Sequence, residues 1–368
     1  MKKKVLFTAT VDSHIENFHL PYLKYFKEQG YEVHVATNGD DDIPYCDKKI
    51  KIPFERSPYK FNNIKAIKLL KKVIMNEKYE IIHTHTPMGS VVTRLAARKS
   101  RKKYGTRLIY TAHGFHFFKG APLKNWLLFY PVEKILSRVT DTIITINNED
   151  YNLAKSKFHC KDIEYVPGVG IDGNKFNIKM SKKEKLDFRK SLGLKEDDFV
   201  MIYVARLDKN KNQGFLIEAT KELVKDNDNI HLLLVGPDEN NGEYQELAKG
   251  AENNVHFLGL RKDIAMLLNI SDIAVSSSLR EGLPVNIIEA LTVGKPVVAT
   301  STRGVKDLIK NNKNGVVVDK NDLISFIKAI KKIYKKDDLS YFEKNAISES
   351  KKYSLSKIII SYISIYNI

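Results

Sequence analysis

The segment Arg280-Glu281-Gly282-Leu283-Pro284-Val285-Asn286-Ile287-Ile288-Glu289 combines two carboxylates with a glycine turn and a helix start. An apolar run ends in Ser276-Ser277-Ser278, and Pro284 is expected at the first helical position, where its missing N–H costs nothing. The N–H groups of Leu283, Val285 and Asn286, with the positive end of the helix dipole, would then be free to cradle an anion such as a diphosphate. Glu281 precedes the helix and Glu289 lies within it, so both could face one opening from different heights. On spacing alone, a solvated loop carboxylate and a helix-face carboxylate are the plainer reading.

Upstream, Arg206 directly follows the apolar run ending Tyr203-Val204-Ala205, which aims it out of the end of a strand, and Lys211 comes five residues later. His113 closes another strand in Thr111-Ala112-His113-Gly114-Phe115-His116-Phe117; His116 reads as structural. His83 and His85 alternate onto one face of a strand, a spacing compatible with a metal, but no third ligand lies nearby in sequence. His85 reads better as lining an acceptor side. Asp40-Asp41-Asp42 follows Asn38-Gly39 in a polar turn and is expected to be solvated. No bound metal and no cofactor are expected.

Short β-branched runs alternate with stretches of helical period along the whole chain, the mark of βαβ units around parallel sheets. Strands are expected at Lys4–Thr10, Glu32–Thr37, Glu80–Thr84, Arg107–Thr111, Asp141–Ile146 and Ile163–Val166, then at Phe199–Val204, His231–Val235, Val255–Leu258, Ile273–Ser276, Pro296–Thr300 and Val316–Val318. Helices are expected between them, in the first half near 16–29, 63–76, 89–103, 122–138 and 149–157. The fold class is therefore α/β with two doubly wound, Rossmann-like domains, joined near Pro167–Lys183 where glycines break the periodicity. A central cleft between the sheets is implied, with ligands beyond the carboxyl ends of the strands.

With Glu281 and Glu289 set in Glu-Gly-Leu-Pro and Ile-Glu-Ala-Leu, the chain resembles the family 4 glycosyltransferases of the GT-B fold, whose hallmark is two glutamates separated by seven residues. Tyr165-Val166-Pro167-Gly168-Val169-Gly170-Ile171-Asp172 and Asn314-Gly315 extend the likeness over nearly the whole chain. The resemblance implies that Glu281 contacts the donor hexose and Glu289 the nucleotide ribose. It gives Arg206 and Lys211 the departing diphosphate of a UDP-sugar, whose charge they would neutralise without Mg²⁺. The histidine-glycine element resembles that of bacterial capsule and exopolysaccharide transferases and assigns His113 to the hexose. Many members carry Gly-Gly after the first strand, whereas here Thr10–Phe18 has no glycine; His14 and Asn17 are the acceptor-side candidates there.

The resemblance to GT-B enzymes implies an acceptor-side domain over residues 1–175, a nucleotide-sugar domain over 176–341, and helices over 342–368 that cross back to the first. It also implies retention of anomeric configuration and, from the capsule likeness, transfer of an N-acetylhexosamine from a UDP-sugar to a polyprenyl-diphosphate-linked saccharide. A UDP-sugar 2-epimerase of the same architecture and a basic nucleic-acid binder are the rival readings.

The chain has 368 residues, enough for two cores, and a net charge of +17. The excess is concentrated in residues 51–138, where 19 Lys or Arg face only Glu55, Glu77, Glu80 and Glu133. An anionic partner is expected for this half, and the inner leaflet of a membrane is preferred to nucleic acid. Phe117, Phe118, Trp126, Leu127, Phe129 and Tyr130 mix with Lys119, Lys124 and Lys134, which suits a headgroup interface or a buried amphipathic helix equally. Two distant cysteines, Cys46 and Cys160, point to a reducing compartment, and no apolar run is long enough to span a bilayer. The expectation is a cytoplasmic protein held peripherally at the membrane.

Overall fold

Apolar runs such as Lys4–Thr8 and Phe199–Val204 have almost every side chain buried, as strands covered on both faces must. The computed structural model describes residues 2–334 and 339–368 of the chain. It divides into one unit of Met1–Val169 with Ile359–Ile368 and a second of Gly170–Ile358.

In the first unit the strands are β1 (Lys4–Thr8), β2 (Glu32–Thr37), β3 (Lys48–Lys51), β4 (Ile81–Thr84), β5 (Arg107–Ala112), β6 (Thr142–Thr145) and β7 (Asp162–Tyr165). They pair in parallel in the order β3-β2-β1-β4-β5-β6-β7, so the winding reverses between β1 and β4. Helices α1 (Asp12–Phe18), α2 (Leu20–Glu28), α3 (Asn62–Glu77), α4 (Pro87–Tyr104), α5 (Leu123–Ser137) and α6 (Asn148–Lys157) follow successive strands. Helix α4 shows the local logic: Pro87 opens it, Arg101, Lys102 and Lys103 face the negative end of its dipole, and left-handed Gly105 closes it.

The second unit has β8 (Phe199–Val204), β9 (Ile230–Val235), β10 (Val255–Gly259), β11 (Ile273–Ser276), β12 (Val297–Thr300) and β13 (Gly315–Val318), ordered β10-β9-β8-β11-β12-β13 and all parallel. Its reversal lies between β8 and β11. Its helices are α7 (Lys182–Ser191), α8 (Gln213–Val224), α9 (Glu243–Leu247), α10 (Ile264–Ile270), α11 (Val285–Thr292), α12 (Arg303–Leu308), α13 (Leu323–Tyr334) and α14 (Leu339–Ser350), and α15 (Leu355–Tyr366) belongs to the first unit from Ile359 onward.

Three expectations are corrected here. Strand β3, Lys-Lys-Ile-Lys, is missing from the sequence reading because it is an edge strand whose lysines reach solvent, so it carries no apolar run. The first helix region starts at Asp12 rather than 16 and breaks at His19. The units divide after Val169, earlier than 175, and only Ile359–Ile368 return to the first unit rather than 342–368. The reason is packing: α14 lies against α11, and its Phe342 belongs to the second unit's core.

Candidate active site

Ligands of doubly wound sheets bind beyond the strand ends where the winding reverses. In the second unit that point joins the loop after β8 to the loop after β11; these loops contain Arg206, Lys211, Glu281 and Leu283, while Val285, Asn286 and Glu289 lie on the helix that follows. The Lys211 Nζ donates to Glu281 Oε1 at 2.6 Å, and both side chains are mostly buried. The loops are cross-braced: Leu279 N–H donates to Asn210 O at 2.8 Å, and Ser277 Oγ bonds the carbonyls of Lys211 and Asn212. Gly304 supports the turn from below, since a Cβ there would sit 2.2 Å from the Gly282 oxygen and 2.6 Å from Leu283 Cα.

Pro284 is the residue before helix α11, with extended backbone (φ −73, ψ 112), not the first helical residue; Val285 takes that place. Val285 and Asn286 fall in the first turn, whose N–H groups have no intrahelical acceptor, whereas Leu283 lies before the cap and outside it. Asn286 contributes its backbone only: its side chain donates to Val204 O at 2.9 Å and accepts from Ile287 N–H at 3.0 Å, which pins α11 to the end of β8. Leu283 is buried and Val285 half-buried. Arg206 is about half exposed and bridges Glu239 at 2.6 Å and Asp208 at 3.2 Å, so an incoming diphosphate would have to compete with two carboxylates.

Glu289 sits on the fifth residue of α11, where burial pushes its carboxyl up to about 7. Ribose hydroxyls donate to a carboxylate, so were Glu289 the ribose contact, its ionised form would be the one that binds. UDP affinity is therefore expected to fall about tenfold from pH 8 to pH 6, as the ionised fraction falls. Isothermal titration should show this slope in the wild type and lose it in Glu289→Gln, leaving only the nucleotide's own titration. The same raised carboxyl makes the fold lose stability as pH climbs from the ordinary 4.5 toward 7, where the unfolded chain releases its proton first.

In the first unit the reversal point joins the loop after β1 to that after β4, with β5 alongside. Left-handed Gly114 (φ 131) turns the chain sharply after His113. His113 Nε2 lies 3.2 Å from His14 Nε2 and 3.4 Å from His85 Nδ1. His19, which sequence reasoning passed over, stacks on His85 with ring centroids 3.7 Å apart. Burial lowers all four imidazoles, His14 to about 4, and mutual repulsion adds to it for His19, His85 and His113, so the cluster is neutral near pH 7. His83 packs beside His85, ring centroids 4.1 Å apart, but its Nδ1 pairs with Tyr366 and its Nε2 with Thr111, each at 2.8 Å, a satisfied core residue.

A cavity of about 780 Å³ opens beside this cluster, walled by His14, Asn17, Phe18, Tyr59, Met88 and Phe129 among others. His14 and Asn17, the acceptor-side candidates, both line it. His85 does not: it is fully buried and forms no part of the wall. Phe117, Trp126, Phe129 and Tyr130 turn inward onto the first unit's core, with Trp126 Nε1 donating to Phe118 O, so the aromatics are not the surface feature. Leu123, Leu127, Leu128, Val132 and Ile135 of α5 are the exposed ones. Asp40, Asp41 and Asp42 lie exposed in a loop, and Asp40 pairs with Lys51. Among the described residues no helix is long and apolar enough to cross a membrane.

Residues 4–147 match the family model for glycosyl transferase 4-like proteins, and residues 184–352 match that for glycosyl transferases group 1. EpsD of Bacillus subtilis (strain 168), named as a glycosyltransferase, is 45% identical over 342 residues, 92% of this chain and 89% of that protein. The chain belongs to the family 4 glycosyltransferases. Membership decides for a glycosyltransferase over the epimerase and nucleic-acid readings. The UDP-Gal:alpha-D-GlcNAc-diphosphoundecaprenol alpha-1,3-galactosyltransferase of Escherichia coli is 31% identical to this glycosyltransferase, covering 77% of this chain and 73% of that one. Anabaena HepE, solved in complex with UDP, superposes with a TM-score of 0.81 at 20% identity over all of both chains, which makes the fold GT-B.

Proposed function

We propose that this glycosyltransferase moves a hexose, an N-acetylhexosamine in the first instance, from a UDP-sugar to a polyprenyl-diphosphate-linked saccharide in bacterial surface polysaccharide synthesis. The observation that carries the reading is the meeting, at the β8/β11 reversal, of Lys211, Glu281 and the open N-terminus of α11. A diphosphate needs fixed positive charge and N–H donors, and Lys211 and the first turn of α11 bring both to this corner. The EpsD likeness and the diphosphoundecaprenol-linked acceptor in the name of the Escherichia coli relative support the acceptor class.

Transfer proceeds with retention by a front-side route, in which the leaving diphosphate helps deprotonate the acceptor hydroxyl. Glu281 and neutral His113 position the hexose, while Glu289 holds the ribose. The exposed aliphatic row of α5, with Lys124 and Lys134 on the same helix, supports peripheral docking on the inner face of the cell membrane, where an acceptor's lipid would be anchored.

The reading is tested by UDP release from a panel of UDP-sugars in EDTA, with and without polyprenyl-diphosphate sugars. Release that needs one donor and the lipid-linked acceptor supports it, and release restored only by Mg²⁺ or independent of acceptor overturns it. Arg206→Ala should weaken UDP binding about tenfold to a hundredfold, the usual size of a charge-assisted contact. Unchanged affinity in a titration would mean that Arg206 stays with Glu239 and Asp208 when nucleotide is bound.

A further inference from the structure

We propose that His14, His19, His85 and His113 form a binding site for a single borderline transition cation, with Zn²⁺ as its first representative. The sequence argument against a metal here was the lack of a third ligand near His83 and His85. The fold supplies three, from α1, from the α1–α2 junction and from the end of β5.

One ligand atom from each of the four lies within 4.8 Å of every other. The separations of 3.2 Å and 3.4 Å, two of the six edges, are close to the edge of a tetrahedron whose centre-to-nitrogen distance is about 2.0–2.1 Å, the Zn–N bond length. A second observation is independent of these distances. His19 is fully buried with neither ring nitrogen partnered. A polar atom buried without a partner is costly, and an ion is one of the few things that repays it.

Four neutral imidazoles with no thiolate and no carboxylate select Zn²⁺, Ni²⁺ or Cu²⁺ over Mg²⁺ and Ca²⁺, which require oxygen ligands. Half-buried His14 lines the cavity and gives an ion its way in. A second possible group, Glu32, His34 and Glu77, lacks this character. Its Glu77 is already met by Lys4 and Lys48, and both nitrogens of His34 are taken by Tyr79 and Glu32.

Occupancy would tie up the Nε2 of His113, so the ion acts as an inhibitor; this consequence rests on the transfer reading above, whereas binding itself does not. The experiment is calorimetric titration of EDTA-stripped, full-length protein with Zn²⁺, in the absence of donor and acceptor, together with the visible spectrum on Co²⁺ loading. One equivalent of Zn²⁺, a tetrahedral Co²⁺ spectrum, no response to Mg²⁺, and an affinity loss of about 100-fold or more in His19→Gln and His14→Gln are expected. His34→Gln should bind as the wild type does. Circular dichroism checks each variant; should His19→Gln fail to fold, the more exposed His14→Gln decides. Absence of Zn²⁺ binding by the folded wild type, or equal binding by a folded His14→Gln, overturns the proposal. Zn²⁺ that binds with one equivalent yet leaves transfer unaffected overturns the inhibitory consequence, and with it the place of His113 in transfer.

Discussion

Glu281→Gln is expected to lower kcat for sugar transfer by about a hundredfold to a thousandfold, the usual consequence of removing one preorganised electrostatic contact to the reacting group. The Kd for UDP should move no more than a few-fold. The two effects separate because of the contact with Lys211. Glutamine keeps an oxygen where the Lys211 Nζ now donates at 2.6 Å, so the lysine keeps its position while losing the anion that neutralised it. The freed charge is then at least as available to a diphosphate as before. Steady-state kinetics with UDP binding by calorimetry checks both halves. Full transfer activity in Glu281→Gln would remove Glu281 from the chemistry, and loss of UDP binding would make it a scaffold for Lys211 only.

Glu133→Ala is expected to destabilise the first unit by about 3–5 kcal/mol, the cost of breaking a buried ion pair from one side. Arg94 on α4 is completely buried, and its Nη1 lies 2.8 Å from Glu133 Oε2 on α5. The rest of the guanidinium is also spoken for: Nε and Nη2 donate to the Ser90 carbonyl and hydroxyl, and the group lies 4.3 Å over the ring of Tyr110. Removing the carboxylate strands a cation that none of these neutral partners can compensate. The double replacement Arg94→Met with Glu133→Met should recover most of the loss, because an apolar pair of similar volume carries no desolvation penalty. Trp126, the one tryptophan in the chain, lies on α5 itself, so its fluorescence during urea unfolding reports on this unit. A loss below about 1 kcal/mol would mean that cavity water reaches Arg94, which then pairs as weakly as a surface ion.

The fold of this glycosyltransferase was legible from one-dimensional pattern to a high degree, and the reason is local. A strand buried on both faces must be a short apolar run, and such runs mark β1, β2, β4, β8 and β11 to within a residue or two. The candidate corner at β8 and β11 was legible because its parts are local: Glu281, the glycine turn and α11 are contiguous, and Arg206 and Lys211 lie in the loop after a strand end. The edge strand β3 was not, because pairing on one side demands no apolar signature.

What depends on contacts distant in the chain came from the folded molecule alone. His14 and His113 are separated by 99 positions and Lys211 and Glu281 by 70, and no periodicity links residues so far apart. The parallel order of β2-β1-β4-β5 brings the histidines to one strand-end corner, and β8 beside β11 does the same for the ion pair. The choice of leucines over aromatics for the outer face of α5 has the same origin. An amphipathic helix states that it has two faces, but which one is covered is set by the neighbours it packs against.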